Sequence, residues 1–166
     1  MSSTVERQPF QWLATALLIL LATPAAADGP PFLDDRSDPA AIVASLYDAL
    51  NRHEYARAWS YFGDPKPVAS YAGFAAGYAD TAALALNLGE VTTEGAAGSI
   101  YGTVPVAIAA TGTDGRTRVF AGCYTTRQLQ PAPQEPPFRP LEIVEGKLSP
   151  TDAPLATAVP ETCPGP

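Results

Sequence analysis

Residues Ala97–Gln130 read AGSIYGTVPVAIAATGTDGRTRVFAGCYTTRQLQ. Two strand-like runs meet there at Asp114-Gly115. An Asp-Gly pair between apolar, β-branched runs is a strong hairpin signal, because both turn positions must accept φ > 0. Each arm exceeds ten residues, longer than the usual strand of about 5–6 residues. A two-residue turn at Asp114-Gly115 predicts Val106 opposite Cys123, Ile108 opposite Ala121, Ala110 opposite Val119 and Ile100 opposite Leu129. That aliphatic face is expected to meet a cover of helices, since alternate strand residues share a face. The other face then carries Tyr101, Thr103, Ala107, Phe120, Tyr124 and Thr126. Pro105 cannot donate to the ladder, so it marks an edge position or a bulge.

Upstream lie the segments that can supply the cover. Asp38-Pro39 is a helix start, with Asp as N-cap and Pro at the first helical position. Ile42, Val43, Leu46, Ala49 and Leu50 then recur at helical spacing, and Asn51-Arg52-His53 breaks the pattern. A second helix over Glu54–Phe62 aligns Tyr55, Ala58, Trp59 and Phe62. Gly63–Pro67 is a loop. Val68–Tyr78 reads as a third short helix aligning Tyr71, Phe74 and Tyr78, although Gly73 and Gly77 each weaken it by about 1 kcal/mol. Thr81–Val91 reads as a strand, with Leu84, Leu86 and Leu88 alternating against Ala83, Ala85 and Asn87. After the hairpin come the proline-rich link Pro131–Pro137 and a last strand, Pro140–Leu148. Helices followed by an antiparallel sheet predict an α+β layer fold.

The ends carry an address. Met1–Ala27 has the three parts of a secretory signal: Arg7 in a polar start, the uncharged run Trp12–Ala22 (WLATALLILLA), and small residues at Ala25-Ala26-Ala27. The apolar run is shorter than the roughly 20 residues a membrane-spanning helix needs. Cleavage after Ala27 predicts a periplasmic or secreted chain with no stable membrane insertion. It removes one acid (Glu6) and one base (Arg7), so the net charge stays at −7. An acidic chain without a Lys/Arg cluster argues against nucleic acid as a partner. The expected organisation is signal peptide 1–27, linker 28–37, one domain over 38–148, and a Pro-rich tail over 149–166 without regular structure of its own.

Cys123 and Cys163 are the only cysteines. In an oxidising compartment they are expected to form a disulfide that pins the tail to the hairpin. Closing so long a loop stabilises by about 4 kcal/mol on the chain-entropy account. The competing reading is a buried free thiol at Cys123, with Cys163 free or paired with another chain. The pairing above favours that reading, because it turns Cys123 toward the helices and away from the tail.

The chain resembles the nuclear-transport-factor-two-like superfamily, also called SnoaL-like or cystatin-like cone proteins, and among them small exported bacterial members. The resemblance rests on Leu46-Tyr47, on Asn51-Arg52-His53-Glu54-Tyr55-Ala56-Arg57-Ala58-Trp59, on Tyr71–Asp80 leading into a strand, and on Val104-Pro105-Val106 in the hairpin. It implies helices packed on a curved sheet that forms a cone, whose mouth holds a small apolar ligand in some members. Others are isomerases or dehydratases, and others only bind or dimerise.

Proton-moving enzymes need a titratable group within reach of the reacting atom. Ser99–Thr111 and Thr117–Gln130 contain no Asp, Glu or His. Asp80 is a weak catalytic candidate, since the resemblance places a carboxylate near it; its bland reading is a helix end that bonds to local backbone. His53, the single histidine, falls at a helix junction, where capping or solvation explains it. One His and two distant Cys give no zinc set, and the Asp pattern gives no calcium loop. No cofactor is expected. Trp59, Tyr71, Phe74, Tyr78, Tyr101 and Tyr124 are the pocket candidates, with rings to bury a ligand's body and hydroxyls to orient a polar atom. Aromatics at such spacing equally make plain core. The expected function is therefore an exported, non-catalytic module binding a small apolar ligand or a protein partner. The alternatives are an isomerase- or dehydratase-like enzyme using Asp80 and a structural homodimer.

Overall fold

The computed structural model describes residues 31–132, 134–136 and 138–163. The signal segment expected over 1–27 lies outside the described residues. Helices α1 (Pro39–Asn51), α2 (Tyr55–Ser60) and α3 (Tyr71–Gly77) precede strands β1 (Thr81–Leu88), β2 (Thr92–Ala96), β3 (Ser99–Gly112), β4 (Thr117–Leu129) and β5 (Glu142–Thr151). The strands form one antiparallel five-stranded sheet in the order β1-β3-β4-β5, with β2 also paired to β3. The α+β layer arrangement is as the sequence predicts. The sheet is open: β1 and β5 do not pair.

Helix α1 begins where Asp38 caps it, one carboxylate oxygen accepting from the Ala40 and Ala41 N–H groups at 2.8 and 2.9 Å. Its face Ile42, Val43, Leu46 and Leu50 is buried against Val104, Val106 and Ile108 of β3 and Ile143 of β5. His53 ends α1 in the left-handed region at φ 59°, an exposed junction residue. Asn51 reaches across to the free edge of β1. Its amide donates to the Leu84 carbonyl at 2.8 Å and accepts the Leu84 N–H at 2.7 Å. One side chain thus satisfies an edge that would otherwise offer a pairing template.

The hairpin differs from the expected pairing by one residue. Val106 faces Gly122, Ile108 faces Phe120, Ala110 faces Arg118 and Ile100 faces Gln128. The cause is the turn. The Gly112 N–H donates to the Arg116 carbonyl at 2.9 Å, leaving a three-residue loop, Thr113-Asp114-Gly115. Gly115 adopts the left-handed conformation at φ 77°, the arrangement in which a turn is followed by a glycine that absorbs the extra residue. The slip leaves β3 as expected, with Val104, Val106 and Ile108 toward the helices, and inverts β4. Phe120, Tyr124 and Thr126 share the helix side with them, while Val119, Ala121 and Cys123 turn away.

Pro105 sits in the gap between the part of β3 paired to β2, up to Thr103, and the part paired to β1, from Val106. Its carbonyl accepts the Gly89 N–H at 2.8 Å. In an antiparallel ladder a residue's N–H and C=O point the same way, so the missing donor faces that gap. Pro105 therefore marks an edge position.

Strand β2 is an addition to the sequence reading. It folds onto β3 through Ala97-Gly98, both at positive φ (47° and 76°), a two-residue turn of the primed kind.

The face away from the helices is covered by the tail. Ala107 is fully buried there. Asn87, opposite Ala107, donates its amide to the Leu155 carbonyl at 3.3 Å. A Cβ on Gly89 would lie 2.7 Å from Val159, so the tail runs close over the strand ends. A disulfide joins Cys123 to Cys163, with Cα atoms 6.0 Å apart. The pairing is the expected one. The difficulty raised by the predicted register disappears, because Cys123 points toward the tail's side of the sheet. Among the described residues, no helix is long and apolar enough to cross a membrane.

Candidate functional site

A cleft of about 650 Å³ opens between the end of α3 and the tip of the β3–β4 hairpin. Its size falls within the usual range of about 300–1,000 Å³ for small-molecule sites. The walls are Leu84 of β1, Ile108 and Ala110 of β3, Phe120 of β4 and Leu148 of β5. Gly112, Thr113 and Asp114 line its mouth together with Asp80, and a backbone bond from the Thr113 N–H to the Asp80 carbonyl (2.9 Å) ties the two sides.

Two buried tyrosines from different elements meet along the cleft: Tyr47 from the packed face of α1 and Tyr124 from the helix side of β4. Their hydroxyls are 2.8 Å apart and their rings meet edge to face, with centroids 6.3 Å apart. Local sequence makes room for them. Gly146 lies opposite Tyr124 on β5, and a Cβ there would stand 2.5 Å from the Tyr124 ring. Burial pushes both phenols well above their ordinary range, and Tyr78 is raised for the same reason. All three hydroxyls therefore stay protonated at neutral pH and act as neutral hydrogen-bonding groups.

The mouth is charged. Asp80, Asp114, Arg116 and Arg118 line it and are exposed. Arg116 pairs loosely with Asp114 at 3.7 Å. The described lining contains neither histidine nor glutamate, so its carboxylates are the solvated pair at the rim.

Of the residues singled out from sequence, Tyr78, Tyr124 and Asp80 line this cleft. Trp59, Tyr71 and Phe74 sit in an aromatic seam between α2 and α3. There Trp59 meets Phe74 at 5.3 Å and Tyr71 at 6.1 Å between centroids, and Phe74 meets Tyr78 at 5.2 Å. Phe74 is buried in the core. Tyr101 is on β3 with the side-chain parity of Thr103 and Ala107, on the face away from the helices. Tyr47, Phe120 and Leu148 belong to the cleft and were not singled out. The signal for Tyr47 was present: it neighbours Leu46 on the apolar face of α1, a place where a phenol needs a polar partner. Its partner emerges only from the true register of β4. Among the described residues, no group of His, Cys, Asp or Glu is placed to hold a metal ion.

Comparison of the chain with family models, with curated proteins and with solved structures gave no match.

Proposed function

We propose that this chain is an exported, non-catalytic binding module that takes a small, largely apolar molecule into the cleft between α3 and the hairpin tip. The observation that carries the reading is the cleft itself: apolar walls around a buried pair of neutral hydroxyls. That is the composition of a ligand site, in which apolar area supplies affinity and a few polar atoms supply orientation. The disulfide supports an oxidising compartment. We also read the helix layer and the sheet as the cone that the superfamily resemblance implies; its support is a cleft at one end of the helix-covered face. Native mass spectrometry on protein secreted through its own signal tests the function. A monomer carrying excess mass supports it. A chain without added mass that also takes up no apolar probe overturns it, and a mass-free dimer moves the weight to the structural homodimer.

One observation favours a second reading, an isomerase- or dehydratase-like enzyme. Asp80 and the tyrosines share one cleft, a carboxylate at the rim and hydroxyl donors deeper in. General-base work needs the carboxylate within hydrogen-bond reach of the substrate proton. If turnover of any ligand found by mass spectrometry survives Asp80→Asn unchanged, this reading fails.

A further inference from the structure

The tyrosine pair constrains what the cleft accepts, through a count of protons. Two neutral hydroxyls carry two protons. One lies in the 2.8 Å bond between them, whichever residue donates it. The other belongs to the accepting hydroxyl and has no acceptor among the described residues. Both residues are more than nine-tenths buried, at 6% and 5% exposure. A ligand that displaces water from the cleft must itself accept that proton, because a buried donor left unpaired costs about 1–3 kcal/mol. The surroundings limit that ligand's charge. The cleft's charged side chains, Asp80, Asp114, Arg116 and Arg118, are exposed at the mouth. A cation or anion driven against the tyrosines would lose water without gaining a counter-charge.

We infer that the cleft selects apolar molecules bearing a neutral carbonyl oxygen, inserted carbonyl first so that it accepts the unused proton of the Tyr47–Tyr124 pair. This inference rests on the reading of the cleft as a ligand site. The count adds a distinctive consequence. Removing either hydroxyl returns the other's proton to the cleft, so each single Phe variant keeps the preference and the double variant loses it.

The test uses two nearly isosteric probes on the mature, disulfide-intact protein: 2-acetylnaphthalene and 2-isopropenylnaphthalene, which differ by O against CH₂. Calorimetry reads the ketone-to-alkene affinity ratio. Relative to the Tyr47→Phe/Tyr124→Phe protein, the wild type and both single Phe variants are expected to show a ratio about five-fold higher, the size of one ordinary net hydrogen bond. Tyr101→Phe, on the face away from the helices, is the control that leaves the ratio unchanged. Equal ratios in wild type and double variant overturn the inference while leaving the cleft a binding site. If neither probe binds the wild type, it is the binding reading that falls. Should the double variant not fold, the infrared carbonyl stretch of 2-acetylnaphthalene bound to wild type decides. A shift below its value in hexane supports the hydrogen bond, and an unshifted band overturns it.

Discussion

The two faces of the sheet are closed by different physics. On one, α1 lays Ile42, Val43, Leu46 and Leu50 on Val104, Val106 and Ile108, and burial of apolar surface holds the layer down. On the other, a tail that is mostly irregular runs back over Ala107 and Pro105 and is fastened by one covalent bond at Cys123. The helix layer is thick enough to enclose a cleft, and its aromatic side chains line it. The tail covers small residues, Ala107 and Pro105, and needs only to lie flat. A cover with its own apolar face stays put by packing, whereas one with little apolar surface needs a staple.

If that contrast holds, the largest effect belongs to the helix side. Leu46 is fully buried in the cluster, and Leu46→Ala is expected to destabilise by about 2–5 kcal/mol through lost burial and the cavity left behind. Chemical denaturation measures it. A loss under 1 kcal/mol would mean that the layer is not packed as described. Next comes the staple. Cys123→Ser/Cys163→Ser opens a loop of sequence separation 40 and is expected to cost about 4 kcal/mol on the chain-entropy account. The decisive detail is where the loss is felt. Hydrogen exchange should rise around Ala107 and Asn87 while α1 stays protected. Equal loosening of both faces would dissolve the comparison.

The covers also differ in what unties them. Reductant attacks the tail, and acid attacks the helix side. Asp48 on α1 pairs with Arg57 at 2.6 Å and Arg52 at 3.0 Å and accepts the Leu33 N–H, tying Leu33 to α1 and α2. Burial works against its charge, but these donors win, and the Asp48 carboxyl is held below the usual carboxylate range. A lowered folded pKa contributes stability that is present above the unfolded value near 3.9 and is lost as pH falls through the folded one. Stability should therefore decline below about pH 4, and Asp48→Asn should flatten part of that decline. At neutral pH the substitution should cost about 2 kcal/mol, the scale of bonds to a charged group. Urea midpoints from pH 2 to 7 measure both effects. An acid arm of equal slope in Asp48→Asn would remove Asp48 from the account.

Much of this architecture was legible in the sequence because local rules agreed with the fold. Asp38-Pro39 opened α1 where cap chemistry required it, Leu84, Leu86 and Leu88 alternated as a half-buried strand does, and Pro105 marked an edge. The misreadings share a cause: turn geometry is decided by backbone angles that residue names only suggest. Asp114-Gly115 was a loud signal read as two residues when Gly115 closes a three-residue loop, and that single step inverted β4. Ala97-Gly98 was silent because alanine rarely accepts φ > 0, and β2, TTEGA, is exposed throughout and offers no apolar alternation. The candidate site suffered in turn. Aromatics at helical spacing pointed to Trp59, Tyr71 and Phe74, which knit α2 to α3. The Tyr47–Tyr124 pair joins positions 77 residues apart, and no local pattern brings those two together.

At Gly89 the tail meets the sheet closely enough to show whether its seat depends on the staple. A Cβ at Gly89 would stand 2.7 Å from a Val159 side-chain carbon on the tail and 2.9 Å from the Pro105 Cβ on the sheet. Gly89→Ala must therefore push one of them, and overpacking of this kind costs about 1 kcal/mol or somewhat more. The proline is held in β3, but the valine is held only as firmly as the tail. In disulfide-free protein the tail lifts and the valine part of the clash is relieved. A double-mutant cycle between Gly89→Ala and Cys123→Ser/Cys163→Ser should then give a coupling of about 0.5–1 kcal/mol, with Gly89→Ala less damaging once the staple is gone. Strict additivity would mean that the tail stays seated without its disulfide. The outer cover would then hold by packing, as the helices do.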